Sequence, residues 1–332
     1  MSELAKEKIS RVVKGVIKTP EDQITEIHSI LSDMNMIVSS EEEWQKITDR
    51  FKATDLEGGF STILEGTYLG RPVLLKRLTS VKLIESEVLN YALAQLGCPE
   101  KFCSLLKVYI SESAPITAEL LMDNCGFSLE DKLKLNEPRT MKERVRYVIQ
   151  ICESLKCLHD LDIKHLDIKP SNIVIDDRNN AKIIDFGLSM VDYVQDPIKP
   201  RVGCKRGSPQ YAAFEIVAHS LCTKQSDIFS LGLTIMLLLG LYDINDYISK
   251  VTTLPQLYTE YKDQLQQIIS EQVSMSIINV FVNNGDITEE EYDTMERNHC
   301  FSMINSMVLL DRYNRPTIDE VLTFFMDYYS KL

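Results

Sequence analysis

Two short polar turns, HLDIKPSN at 165–172 and DFG at 185–187, constrain this chain more than any other feature in it. Between them lie Ile173-Val174-Ile175 and Lys182-Ile183-Ile184, which read as two strands joined by a turn. A strand–turn–strand can fold the acids of both turns, Asp167 and Asp185, onto one site. The surrounding chain changes period twice. Up to about residue 52 it is helical: Thr19-Pro20-Glu21-Asp22 reads as a cap with proline at the first helical position, and Ile24, Ile27, Leu31 and Met34 follow at helical spacing. A second start at Ser40, with Glu41–Glu43 behind it, leads into Trp44, Ile47 and Phe51. From about Ala53 the runs shorten to Thr62–Leu64, Val73–Leu75, Leu105–Ile110 and Thr117–Met122, which predict strands, with one helix near 84–96. Beyond Gly126 the pattern is again mostly helical. The fold class this implies is α+β, a small strand-rich part followed by a larger helical one.

Charge and cysteine usage exclude several classes of function. A net charge of −13 sets the surface as a whole against nucleic acid and anionic membrane. The most apolar stretch, Ile228–Tyr242, is interrupted by Ser230, Gly232 and Thr234 and is too short to span a bilayer, so a buried core helix is expected there. Met1–Lys18 alternates charge with apolar residues, and no secretory signal is expected. The eight cysteines contain no C-x-x-C pair, and although Cys98/Cys103 and Cys152/Cys157 share a spacing of five, no zinc site is expected. Reduced, mostly buried thiols in the cytosol are expected instead.

The two turns hold the residue types that phosphoryl transfer needs: a group to orient the acceptor hydroxyl, ligands for a divalent cation, and a cation on the phosphates. Asp167 can accept a hydrogen bond from the hydroxyl. Asn172 and Asp185 offer hard oxygen ligands to Mg2+, and Lys169 can balance charge on the transferring phosphate.

At this point the chain resembles the eukaryotic-type protein kinases, over about residues 53–330. HLDIKPSN is similar to the catalytic loop and DFG to the metal-binding turn. EGGFSTILEG at 57–66 resembles the loop that covers the phosphates, and RPVLLKRL at 71–78 the strand with the phosphate-binding lysine. The resemblance implies Gly58, Gly59 and Lys76 at ATP, with Mg2+ or Mn2+ as the metal. Leu56 and Ser61 stand where the family usually has glycine. A glutamate on the following helix is expected to pair with Lys76. Glu87 is preferred here, with Glu85 as the alternative. ELLMDNCGFSLED at 119–131 resembles the hinge, which puts Met122 beside the adenine pocket and offers backbone groups of Asp123–Cys125 to the base. GSPQYAAFEI at 207–216 resembles the peptide-positioning loop, SDIFSLGL at 226–233 the helix whose Asp227 anchors the catalytic loop, and DRYNRPT at 311–317 supplies Arg315 as a partner for Glu215.

The resemblance implies a protein kinase-like two-lobed fold, with a small β-rich N-lobe and a larger helical C-lobe. Residues 1–52 would be a helical extension, 53–126 the N-lobe and hinge, and 127–332 the C-lobe with an enlarged region around 242–300. It implies a protein substrate, since the peptide-positioning loop and the Glu215–Arg315 pair are seldom found in small-molecule kinases. Lys169 after Asp167, with Ser171 before Asn172, is the serine/threonine pattern. A scaffold with little or no turnover and a small-molecule kinase are the competing readings. Residues 1–52 and 242–300 are candidate docking regions, although the apolar faces of 1–52 also suit simple packing on a lobe. The cytosol of its own cell, or of another into which it is delivered, is the expected compartment.

Overall fold

The computed structural model describes residues 20–58, 61–79, 81–111, 117–135, 137, 140–191, 207–208, 210–240, 290, 293–295 and 298–332. The chain divides into two compact units. The first holds Met1–Gly126 with Asp160–Ile163 and Ile184–Gln195, and the second holds Phe127–His159, Lys164–Ile183 and Asp196–Leu332.

The first unit begins with α1 (Pro20–Asp33) and α2 (Glu41–Thr48), followed by β1 (Lys52–Gly58), β2 (Ser61–Tyr68), β3 (Arg71–Leu78), α3 (Val81–Gly97), β4 (Leu105–Ile110) and β5 (Ala118–Asp123). The strands form one antiparallel sheet in the order β1-β2-β3-β5-β4. Alternation along β3 decides which side chain faces where. Val73 and Leu75 point to one face, where they are buried with Val38, Trp44 and Leu121. Lys76, one position on, faces the other way. Trp44 is held over the sheet by stacking on Tyr109 and by donating Nε1–H to the Glu119 carboxylate at 2.5 Å. Gly66 in β2 makes room for Phe51, whose ring stands 2.3 Å from where a Cβ would be. The outer edge of the sheet, β4, is not bare. Val38 donates to the Val108 carbonyl at 2.9 Å, and Val108 donates to the Met36 carbonyl at 2.8 Å. Helix α3 is buried around most of its circumference, through Ile84, Val88, Leu89, Tyr91, Ala92 and Ala94.

The second unit holds β6 (Phe127–Ser128), α4 (Leu129–Lys134), α5 (Met141–Asp160), β7 (Ile173–Ile175), β8 (Ala181–Ile183), α6 (Phe214–His219), α7 (Lys224–Leu238), α8 (Cys300–Met307) and α9 (Ile318–Ser330). Strands β6, β7 and β8 make a small antiparallel sheet. The apolar stretch expected to form a buried core helix falls largely in α7, which is buried and started by a Thr223/Ser226 capping box. Gly232 lets α8 come close: a Cβ there would lie 2.8 Å from Val308 Cγ1.

The cysteines depart from the expectation of reduced thiols. Cys103 and Cys125 form a disulfide, while Cys152, Cys222 and Cys300 are free and buried. Two cysteines 22 positions apart carry no pairing signal in sequence; the antiparallel run of β4 and β5 brings them within bonding reach, with Cα atoms 6.1 Å apart. Gly59 and nearly all of 242–300 lie outside the described residues.

Candidate active site

In the first unit the site is built on β3 and α3. Lys76 Nζ donates to Glu87 Oε1 at 2.5 Å and to Asp185 Oδ1 at 2.8 Å. The lysine is 9% exposed and Glu87 1%, so the pair lies almost out of water. The Asp185 side chain, by contrast, is 39% exposed. Burial works against the Lys76 ammonium, yet the charges of Glu87 and Asp185 outweigh it and hold the amine above the usual lysine range. Burial pushes the Glu87 carboxyl up to about 7, against the pull of Lys76 and with the push of Asp185. The carboxylate on Lys76 is thus that of Glu87; the side chain of Glu85 lies outside the described residues.

Asp185 sits at φ +68°, in the left-handed region, and Oδ1 also accepts from the Gly187 amide at 3.2 Å. Gly187 sits in a tight place: a Cβ would stand 3.2 Å from Asp185 Oδ1 and 3.3 Å from Glu87 Oε2. Phe186 between them is fully buried, edge-on to Tyr91 and to Phe102 with centroids 5.0 and 5.6 Å away. Met122 lies in β5 opposite Leu74 and Leu105. The Asp123 amide donates to the Ser104 carbonyl at 2.9 Å and the Asn124 amide to that of Pro72 at 3.1 Å. A base docking on 123–125 must therefore use other backbone groups. Cys125 turns its sulfur to Cys103. Gly58 ends β1, paired with Ser61.

In the second unit Asp167 is the centre of a closed network. Its Oδ1 accepts from the Ser208 amide at 2.8 Å, and its Oδ2 from Asn172 Nδ2 at 2.8 Å and Lys169 Nζ at 2.9 Å. Asn172 Nδ2 also donates to the Asp167 carbonyl at 2.9 Å, and Lys169 Nζ to Ser208 Oγ at 2.6 Å. The loop is held from behind by Asp227, which is fully buried. It accepts from the amides of His165 and Leu166 at 2.9 and 2.7 Å and faces His159 Nε2 at 2.9 Å. Leu166 takes φ +65°, a strained choice for a leucine that these two amide bonds enforce. Glu215 and Arg315 meet in a fork at 2.8 and 2.9 Å, and Ser226 Oγ adds a third bond to Glu215 Oε1 at 2.8 Å.

Ser208 is the participant that sequence reasoning placed in the peptide-positioning loop without a partner. Gly207 before it sits at φ +91°, where a Cβ would meet the Leu166 carbonyl at 2.8 Å.

The model of the protein kinase domain family matches residues 82–325. This chain belongs to that family. Over 203 residues it is 27% identical to the mouse (Mus musculus) proto-oncogene serine/threonine-protein kinase mos, covering 54% of this chain and 57% of mos. It is 36% identical over 116 residues to the dual specificity protein kinase zak2 of Dictyostelium discoideum, 34% of this chain and 18% of that protein. To the serine/threonine-protein kinase PrkC of Bacillus subtilis it is 26% identical over 204 residues, 59% of this chain and 31% of PrkC. The matches span just over half the length of mos and less of the other two. As in the family at large, the fold is a β-rich part followed by a helical part. Among the described residues of this kinase chain no helix is long and apolar enough to cross a membrane, and no cluster of three His, Cys, Asp or Glu could hold a metal.

Proposed function

We propose that this chain is an ATP- and Mg2+-dependent protein kinase that transfers the γ-phosphate to serine and threonine hydroxyls of proteins, with Mn2+ as an alternative metal. The observation that carries the reading is the buried pairing of Lys76 with Glu87, with Asp185 on the same ammonium. A cation kept charged and aimed by a carboxylate behind it suits the α- and β-phosphates of a nucleotide. The donor set also suits the metal. Asn172 commits its amide nitrogen to Asp167, which fixes Oδ1 as the group left to face a cation, and Asp185 presents a half-exposed carboxylate. Mg2+ held by these oxygens would neutralise charge on the phosphates.

Asp167 is the group to take a hydrogen bond from the acceptor hydroxyl. A carboxylate offers about four lone-pair sites, and three are taken by Ser208, Asn172 and Lys169. Lys169, bonded to both Asp167 and Ser208, is placed to balance charge as the phosphoryl group moves. On this reading 53–126 is the nucleotide-side lobe with its hinge, 127–332 the substrate-side lobe, and the compartment the cytosol. The relatives named as serine/threonine kinases support the hydroxyl specificity; zak2, named as dual specificity, makes tyrosine the control.

Incubation with labelled ATP, Mg2+ and generic protein substrates tests the reading. Label on serine or threonine is expected. Nucleotide binding without transfer would favour the scaffold reading, to which Leu56 and Ser61 in the phosphate-covering loop lend themselves. Label on small molecules alone would overturn the choice of a protein substrate.

A further inference from the structure

Residues 20–51 precede the stretch that the family model matches, yet they are built into the first unit at three places. Helix α1 lies against α3, the helix that carries Glu87, and its last turn buries Ile30 and Leu31 completely. Residues 36–38 are bonded to the β4 edge. Helix α2 places Trp44 against Val73 and Leu75 of β3, the strand that carries Lys76. The join between α1 and the edge strand is stiff. Asn35 stands at φ +54°, the Met36 amide closes back on the Leu31 carbonyl at 2.8 Å, and Lys107 Nζ donates to the Asn35 carbonyl at 2.8 Å. One short segment therefore grips both supports of the same ion pair, the glutamate's helix by α1 and the lysine's strand by α2.

We propose that residues 20–51 are a built-in positioning element for Glu87, with Ile30 and Leu31 as the positioning residues, so that the Lys76–Glu87 pair stays closed without a separate activating partner. An α3 free to turn or slide would carry Glu87 off Lys76; at its far end Gln95 holds the helix to the Leu105 backbone, donating to the carbonyl at 3.3 Å and accepting from the amide at 2.7 Å, which leaves the half that carries Glu87 to be held by packing. Covering α3 with a helix that is itself anchored to the sheet removes this freedom. Its bearing on phosphotransfer rests on the proposed function; the positioning itself does not.

The test measures acylation of the Lys76 amine in the full chain, read by peptide mass spectrometry, which pairing with Glu87 suppresses. Ile30→Ala with Leu31→Ala is expected to speed acylation at least threefold, and Glu87→Gln to do the same. The two changes combined should add little to either alone, since both open one pair. Under the proposed function, kcat/KM for ATP falls in step. Independent, multiplying effects, or unchanged Lys76 protection in the alanine pair, would overturn the inference. Should the alanine pair not fold, Leu31→Val is read by the same cycle. If the native chain transfers no phosphate, the proposed function falls, while Lys76 protection still decides the positioning role.

Discussion

Tyr91 reaches Phe186 edge-on from α3, and in doing so buries a hydroxyl that finds no hydrogen-bond partner among the described residues, as does Asn90 Oδ1 beside it. An unbonded buried hydroxyl costs about 1–3 kcal/mol. Tyr91→Phe keeps the ring and removes the penalty, so its melting temperature should rise; a fall would mean that the hydroxyl has a partner in solution. Lys76 makes the opposite case. It is nearly buried, because alternation along β3 turns it away from Trp44 and toward Glu87 of α3. Lys76→Ala should abolish phosphotransfer and also leave Glu87 buried without its cation. A carboxyl raised above its unfolded value binds its proton more tightly in the folded chain, so folding weakens as pH rises from the ordinary glutamate range through the raised one. Glu87 already stands at about 7, and losing the Lys76 attraction raises it further. The stability gap between Lys76→Ala and the native protein should therefore be small near pH 5 and widen through pH 7 and above. A gap that does not change with pH would show that Glu87 has found another cation.

Elements were legible where a local signal suffices, a short apolar run or a capping residue. Leu105–Ile110 and Ile173–Ile175 are strands over the residues expected, and Ser40 caps α2 through the Glu43 amide at 3.3 Å. What sequence did not offer was any contact made across distance. The pairing of Met36 and Val38 with Val108 depends on where β4 lies, and the bond from Trp44 to Glu119 spans two elements. The Glu215–Arg315 fork was readable only through the family resemblance, as a pair of motifs a hundred residues apart. Removing either partner strands a buried charge, at about 3–5 kcal/mol. Arg315 also donates to the carbonyls of Leu309 and Gln225, both at 2.7 Å, so Arg315→Met should melt lower than Glu215→Gln. The double variant should lose less than the sum. Equal, additive losses would mean that the two side chains act apart.

For the whole molecule, the two turns and the change of period already pointed to a kinase and to an α+β layout, and the family match bears both out. The extension was the part least readable, since an apolar stripe does not say what it will lie against. Regulation is also a property of the whole chain. Many kinases order their activation segment when a phosphate neutralises an arginine before the catalytic aspartate. Here that position is Leu166, buried and held by Asp227, and no cation stands there to read a phosphate. Protein freed of phosphate and checked by mass spectrometry should phosphorylate a substrate without a lag. An inert enzyme that recovers only when phosphate appears between 185 and 215 would refute this. The filled edge of the sheet bears on recognition as well. Many domains capture extended peptides by adding them as a further strand, with main-chain bonds supplying the affinity. At β4 that berth is taken by the chain's own Met36–Val38, so a peptide seeking it must first peel this segment away and forfeit two bonds already made.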